Sequence, residues 1–233
     1  MSNNTMINFY ENKKVQKFKT KYPNPSFDQH KMSVPFRLLA IGGSGSGKTN
    51  FVMNLLSRFQ KTYNHLYVFT EESECLYDFL QSQIPEDMLT IRYDLNDLHG
   101  IDAFNEYFTG ASLVIFDDQV CKSKLEHKSI EKLFIRGRKV SGGVSLCYLS
   151  QSYFGIPKLI RQQSQYCAVV KISSNRDLKL MLSEYSLNCT KEQLVKMYNY
   201  CCNNTFGDVL LIDVHASQKS GLTYRKNFLK GLN

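Results

Sequence analysis

The chain of 233 residues has no tryptophan and only five prolines, and its seven cysteines include no CxxC pair. Few prolines leave room for regular elements throughout, while an odd, scattered set of thiols excludes a disulfide framework and signals no zinc site. Cys201 and Cys202 stand upstream of His215, but adjacent cysteines point apart, which is poor geometry for a shared metal. No apolar run approaches the roughly 18 to 20 residues that a bilayer-spanning helix needs, and the polar start Met1-Ser2-Asn3-Asn4 has no signal-peptide core. The expectation is a soluble intracellular protein without a membrane span. Acidic residues are also short, 21 against 29 basic ones, giving a net charge of +8.

A hydrophobic content of 42% with 21% charged residues suits a globular chain rather than a disordered or fibrous one, and the length suits one large domain. The basic excess is uneven. Lys13, Lys14, Lys17, Lys19, Lys21, Lys31 and Arg37 face only Glu11 and Asp28 before residue 40. Residues 1–34 therefore read as a basic N-terminal arm, broken by Tyr22-Pro23-Asn24-Pro25, and residues 35–233 as the folded domain. An extended basic arm can lie on a polyanion such as DNA, or serve as a solubilising tail.

The most specific motif is Gly42-Gly43-Ser44-Gly45-Ser46-Gly47-Lys48-Thr49, a match to GxxxxGK[ST]. Gly42 and Gly47 permit backbone angles closed to other residues, so the loop amides can converge on phosphate oxygens at a helix N-terminus. Lys48 would neutralise the β- and γ-phosphates, the Thr49 hydroxyl would ligate Mg²⁺, and Asn50 continues the cradle. Leu38 to Ile41 before the loop read as a buried strand; Phe51, Val52, Leu55, Leu56 and Phe59 after it recur at helical spacing.

Downstream, apolar strand-like runs alternate with amphipathic helical ones. The strands are His65–Phe69, Leu89–Tyr93, Leu113–Phe116, Val144–Leu149, Tyr166–Ile172 and Val209–Val214. The helices are 71–81, with Leu76, Phe79 and Leu80 inward, then 101–108, 128–136, one opened by Pro157, 176–185 and 191–200. Such alternation predicts an α/β fold, mainly a parallel sheet with helices on both faces. Leu113-Val114-Ile115-Phe116 runs into Asp117-Asp118, a Walker B-like element placed beside the P-loop. There Asp117 would hold the metal and Asp118 would polarise an attacking water. Gln151, just past the strand Val144–Leu149, would project at the same edge and sense the γ-phosphate. Arg136 and Arg138, in Arg136-Gly137-Arg138-Lys139, are candidates for an arginine finger acting on a neighbouring subunit; a basic helix end and a DNA contact are the other readings. No NKxD base-reading motif is present, which favours ATP.

Taken together, GGSGSGKT, LVIFDD, FIRGRK and YLSQSYFGIPKLIR resemble the FtsK–HerA class of P-loop ATPases. Within that class the chain resembles the poxvirus-type DNA-packaging ATPases of large eukaryotic DNA viruses and virophages. The likeness spans about Phe36 to Ile172, with echoes at LLID and at Tyr224-Arg225-Lys226-Asn227-Phe228. It implies a RecA-like core, ATP with Mg²⁺, a homo-oligomeric ring of five or six subunits, and translocation of double-stranded DNA into a preformed capsid at a portal vertex. The implied location is the host cytoplasm, in a viral factory, or the virion. Asp118 as water activator, Gln151 as sensor and Arg138 as finger follow from the same resemblance; Lys139 departs from it, standing where related enzymes often carry histidine. A nucleoside or nucleotide kinase, also a small P-loop enzyme, is the alternative, and a nucleotide-dependent scaffold is a third class.

Overall fold

Short runs of consecutive apolar residues can be buried on both sides only inside a sheet covered by helices, and this is how the chain folds. The computed structural model describes residues 7–98, 108, 110–140, 142–203, 205–217 and 220–232. Among them, nine strands form one sheet: β1 (Arg37–Ile41), β2 (His65–Phe69), β3 (Leu89–Arg92), β4 (Ser112–Asp117), β5 (Val144–Ser150), β6 (Tyr166–Val169), β7 (Leu210–Asp213), β8 (Tyr224–Lys226) and β9 (Lys230–Gly231). Their order is β3-β2-β4-β5-β1-β6-β7-β8-β9. Strands β1 to β6 pair in parallel, whereas β7, β8 and β9 add as antiparallel strands. The sheet is thus mainly parallel, and the last expected strand runs against it.

Side chains alternate between two faces, as the pleat requires. Leu39, Ile41, Val114, Phe116, Leu146 and Tyr148 share one core, and Leu38, Ala40, Leu113, Ile115, Cys147 and Leu149 share the other. The described helices are α1 (Lys13–Gln16), α2 (Phe27–His30), α3 (Lys48–Leu56), α4 (Cys75–Gln83), α5 (Lys124–Arg136), α6 (Lys158–Gln163), α7 (Asn175–Glu184) and α8 (Lys191–Cys202). α3 and α4 cover the second face through Phe51, Val52, Leu55, Tyr77 and Leu80. α5 to α8 cover the first through Leu133, Ile160, Met181 and Leu194. Ser123 and Glu126 form a capping box that starts α5 four residues earlier than its apolar periodicity indicates.

Two expectations change, and a third is not tested. α4 buries Tyr77 and Leu80, while Phe79 is 56% exposed and Leu76 only half-buried. The helix expected over 101–108 lies outside the described residues, Phe108 apart. The basic arm is not extended to its end: it forms two single-turn helices, and His30 and Met32 are fully buried. The Arg225 guanidinium, itself inaccessible, donates to the carbonyls of His30 and Phe228 and so ties this segment to β8.

Candidate active site

In a parallel sheet the loops leaving the carboxyl ends of the strands gather along one edge. β1 ends at Ile41 and the chain turns through residues 42–47 into α3. The Gly42 amide donates to the Ser150 carbonyl at 3.2 Å and the Gly43 amide to the Lys171 carbonyl at 2.9 Å, fixing the loop between the ends of β5 and β6. Glycine fits Gly42 for space, because a Cβ there would sit 2.5 Å from Ser46 Oγ and 3.0 Å from Val170 Cβ. It is needed at Gly47 for its φ of 97°, which turns the chain into α3. Lys48, buried on the first helical turn, donates from Nζ to the Gly42 and Gly43 carbonyls at 3.1 and 3.2 Å. Its ammonium therefore lies folded over its own loop. Ser46 Oγ is buried with no hydrogen-bond partner. A cation resting on neutral carbonyls beside an orphaned hydroxyl is the donor set of an anion cradle.

β4 delivers the acids. Asp117 is 6% exposed and accepts a hydrogen bond from the Tyr77 hydroxyl at 2.6 Å. Its pKa is raised to about 6, chiefly by burial, with the Asp118 and Glu74 charges adding to the rise and the Tyr77 hydrogen bond and the Lys48 charge opposing it. Asp118 adopts the left-handed region, with φ 50°, and accepts from Gln151 Nε2 at 3.0 Å. That bond joins the ends of β4 and β5. In the strand order β5, the glutamine strand, lies between the acidic strand β4 and the P-loop strand β1. Gln151 is thereby closer to the loop along the sheet than the acids it bonds to.

A cleft of about 570 Å³ opens on this flank, lined by residues 70–74 with Asp117, Asp118 and Gln151. Glu71, Glu72 and Glu74 make it strongly acidic, offset by Lys122, which pairs with Glu71 at 3.2 Å. Among the described residues no group of three histidine, cysteine or carboxylate side chains closes on a metal. Thr49 and Asp117 instead offer one hydroxyl and one carboxylate, hard oxygen donors of the kind Mg²⁺ accepts when phosphates complete its shell.

Arg136 and Arg138 lie elsewhere. α5 runs back from the acidic edge, so the turn Gly137–Lys139 sits at the amino end of β5, where the Phe134 carbonyl meets Arg37 Nη1 and Tyr22 Oη donates to the Arg138 carbonyl. Both arginines are exposed there, with the seven residues of β5, about 20 Å of extended chain, between them and Gln151. Sequence reasoning missed Tyr77 and Gln119. Gln119 is buried and donates to the Asp117 and Phe69 carbonyls. The Tyr77-to-Leu80 spacing of one helical turn was a signal for the first; nothing marked the second.

A family model described as "Poxvirus A32 protein" matches residues 25–220. The DNA packaging protein OPG160 of Variola virus is 30% identical over 178 residues, covering 72% of this chain and 64% of that protein. The chain thus spans somewhat less than two thirds of the relative's length. Among solved structures, B204, the DNA-packaging ATPase from Sulfolobus Turreted Icosahedral Virus, superposes with a TM-score of 0.59 at 15% identity, over 87% of this chain and 100% of that one. The genome packaging NTPase B204 from Sulfolobus turreted icosahedral virus 2 in complex with ATP-gammaS gives 0.57 at 14% identity, over 84% and 98%.

Proposed function

The chain belongs to the poxvirus A32 protein family, and on that footing we propose that it is an ATP-hydrolysing motor that moves double-stranded DNA into a viral capsid. The DNA packaging role of OPG160 and of B204 points the same way, and B204 is known in complex with ATP-gammaS. The observation that carries the reading is the Asp118–Gln151 pair beside the P-loop. Lys48 would leave the loop carbonyls for the phosphates, and Asp118 would accept the proton of the attacking water while Gln151 orients it. Mg²⁺, held by Thr49, Asp117 and the phosphates, would supply charge neutralisation.

The edge-to-edge separation of the two halves of the machinery supports a ring. Arg136 and Arg138 are too far from Gln151 to serve the same subunit's nucleotide, and a cleft carrying five carboxylates favours cations, not a second phosphate. A neighbouring subunit's Arg138 suits that cleft. A homo-oligomeric ring of five or six subunits, with the capsid or its portal vertex as partner, in the host cytoplasm or the virion, belongs to the same reading. Exposed lysines on the DNA side would contact phosphates without regard to sequence. The kinase alternative has less support: a kinase uses the acceptor itself as nucleophile and has no need of a carboxylate–glutamine pair for water.

The test is the ATPase rate with and without double-stranded DNA, with solution mass measured in the presence of ATP. DNA should raise the rate of an assembled ring. Asp118→Asn should leave ATP affinity within about twofold and lower hydrolysis by about 10²- to 10⁴-fold. Hydrolysis indifferent to DNA in a verified ring, or an Asp118→Asn variant of normal rate, would overturn the proposal.

A further inference from the structure

The phosphate loop has two flanks, and the acidic groups occupy only one. On the other, the loop between α8 and β7 rests against the first turn of α3. A Cβ on Gly47 would lie 3.0 Å from Gly207 Cα and 3.4 Å from Phe206 Cζ, and one on Gly207 would lie 2.7 Å from Asn50 Nδ2. Gly207 takes a φ of 78°, so the close approach depends on two glycines facing each other. The loop is braced from behind: Asp208 pairs with Lys226 at 2.8 Å and accepts from Asn227 Nδ2 at 2.9 Å, and its amide donates to the Thr205 carbonyl. On this braced support Phe206 is 72% exposed.

What sets Phe206 apart from other exposed apolar side chains is its place: an open aromatic face on a braced loop immediately beside the phosphate cradle. We infer that Phe206 is the stacking platform for the heterocyclic base of the bound nucleotide. This rests on the reading of residues 42–49 as the triphosphate cradle, and the polarity follows from charge. The terminal phosphate and its counter-ion belong toward Asp117, Asp118 and Gln151, so the nucleoside leaves the loop on the opposite flank, where the Phe206 ring edge lies 3.4 Å from the place a Cβ on Gly47 would take. Stacking reads the face of a base rather than its edge. A purine is accordingly held without an edge-reading carboxylate, and discrimination between adenine and guanine is weak.

The natural absence of tryptophan makes a clean experiment possible, since Phe206→Trp introduces the chain's sole indole. The affinities of ATP and of inorganic tripolyphosphate, each with Mg²⁺, are measured for the wild type, Phe206→Ala, Phe206→Tyr and Phe206→Trp. Phe206→Ala should weaken ATP about 10-fold and leave tripolyphosphate unchanged, and Phe206→Tyr should restore ATP binding. The indole emission should respond to ATP and not to tripolyphosphate. Unchanged ATP affinity in Phe206→Ala, or equal loss of both ligands, overturns the inference. A wild type that binds tripolyphosphate as tightly as ATP overturns it too but spares the cradle, whereas a wild type that binds neither removes both.

Discussion

At the scale of single residues, the charge that governs the site is Asp117, because the fold buries it and, among the described residues, only the Tyr77 hydroxyl hydrogen-bonds to its carboxylate. Its pKa stands near 6 instead of 3.8, with burial as the main cause. The unfolded chain releases this proton near pH 4 and the folded one near pH 6, so between those values the folded state binds more protons and stability falls as pH rises. Above pH 6 the loss is complete, at most roughly 3 kcal/mol for a shift of about two units. Asp117→Asn should therefore raise the melting temperature of the nucleotide-free protein at pH 7.5 by several degrees, and the gain should shrink toward pH 4. Differential scanning fluorimetry at the two pH values checks it; an equal shift at both would mean that burial of the charge is not the cause. The same variant should lose Mg²⁺-dependent hydrolysis, which ties the stability cost to the site's chemistry.

At the scale of elements, strands were the most legible part, because four or more consecutive apolar residues have few other homes in a chain that alternates with amphipathic helices. What stayed hidden depended on contacts distant in sequence. Nothing within Leu210–Asp213 distinguishes a parallel from an antiparallel neighbour; its partner β8 decides, through Arg225 and its buried bonds. The face of α4 was misread because Phe79 is more apolar than Tyr77, yet Tyr77 has a carboxylate to reach and Phe79 does not. The basic turn shows the same dependence. Gly143, with φ 76°, leaves room for the Tyr22 ring, since a Cβ there would lie 2.4 Å from Tyr22 Cε1, and the Tyr22 hydroxyl holds the Arg138 carbonyl at 2.8 Å. An arm expected to be extended is thus pinned to the turn that carries the arginines. Gly143→Ala combines left-handed strain with eviction of the ring and should cost roughly 1–3 kcal/mol in urea denaturation. Tyr22→Phe, which removes one exposed hydrogen bond, should cost under about 1 kcal/mol. Equal effects would separate the turn from the ring contact.

At the scale of the whole molecule, the order of strands sets what one copy can do alone. The P-loop, Asp118 and Gln151 meet at the carboxyl edge, and Arg138 lies at the amino end of β5. This division was only half legible: the motifs were plain, but which edge each reached depended on α5 running the full depth of the sheet. A contact between opposite edges of identical chains is head-to-tail, and such contacts close into rings or run on as filaments. If catalysis needs both edges, two separately inactive variants should rescue each other. Lys48→Ala removes the cradle and keeps the finger; Arg138→Ala does the reverse. Each should hydrolyse ATP poorly by itself. In an equimolar mixture, about one interface in four joins an intact P-loop to an intact Arg138 from the neighbour, so activity should recover toward about a quarter of the wild-type rate when random exchange is complete. Recovery should need conditions in which solution mass reports assembly, and it should vanish on dilution below that threshold. A mixture no more active than its components, with mixed assembly verified by a mass tag on one variant, would place Arg138 outside catalysis and leave its charge to DNA or to the end of α5.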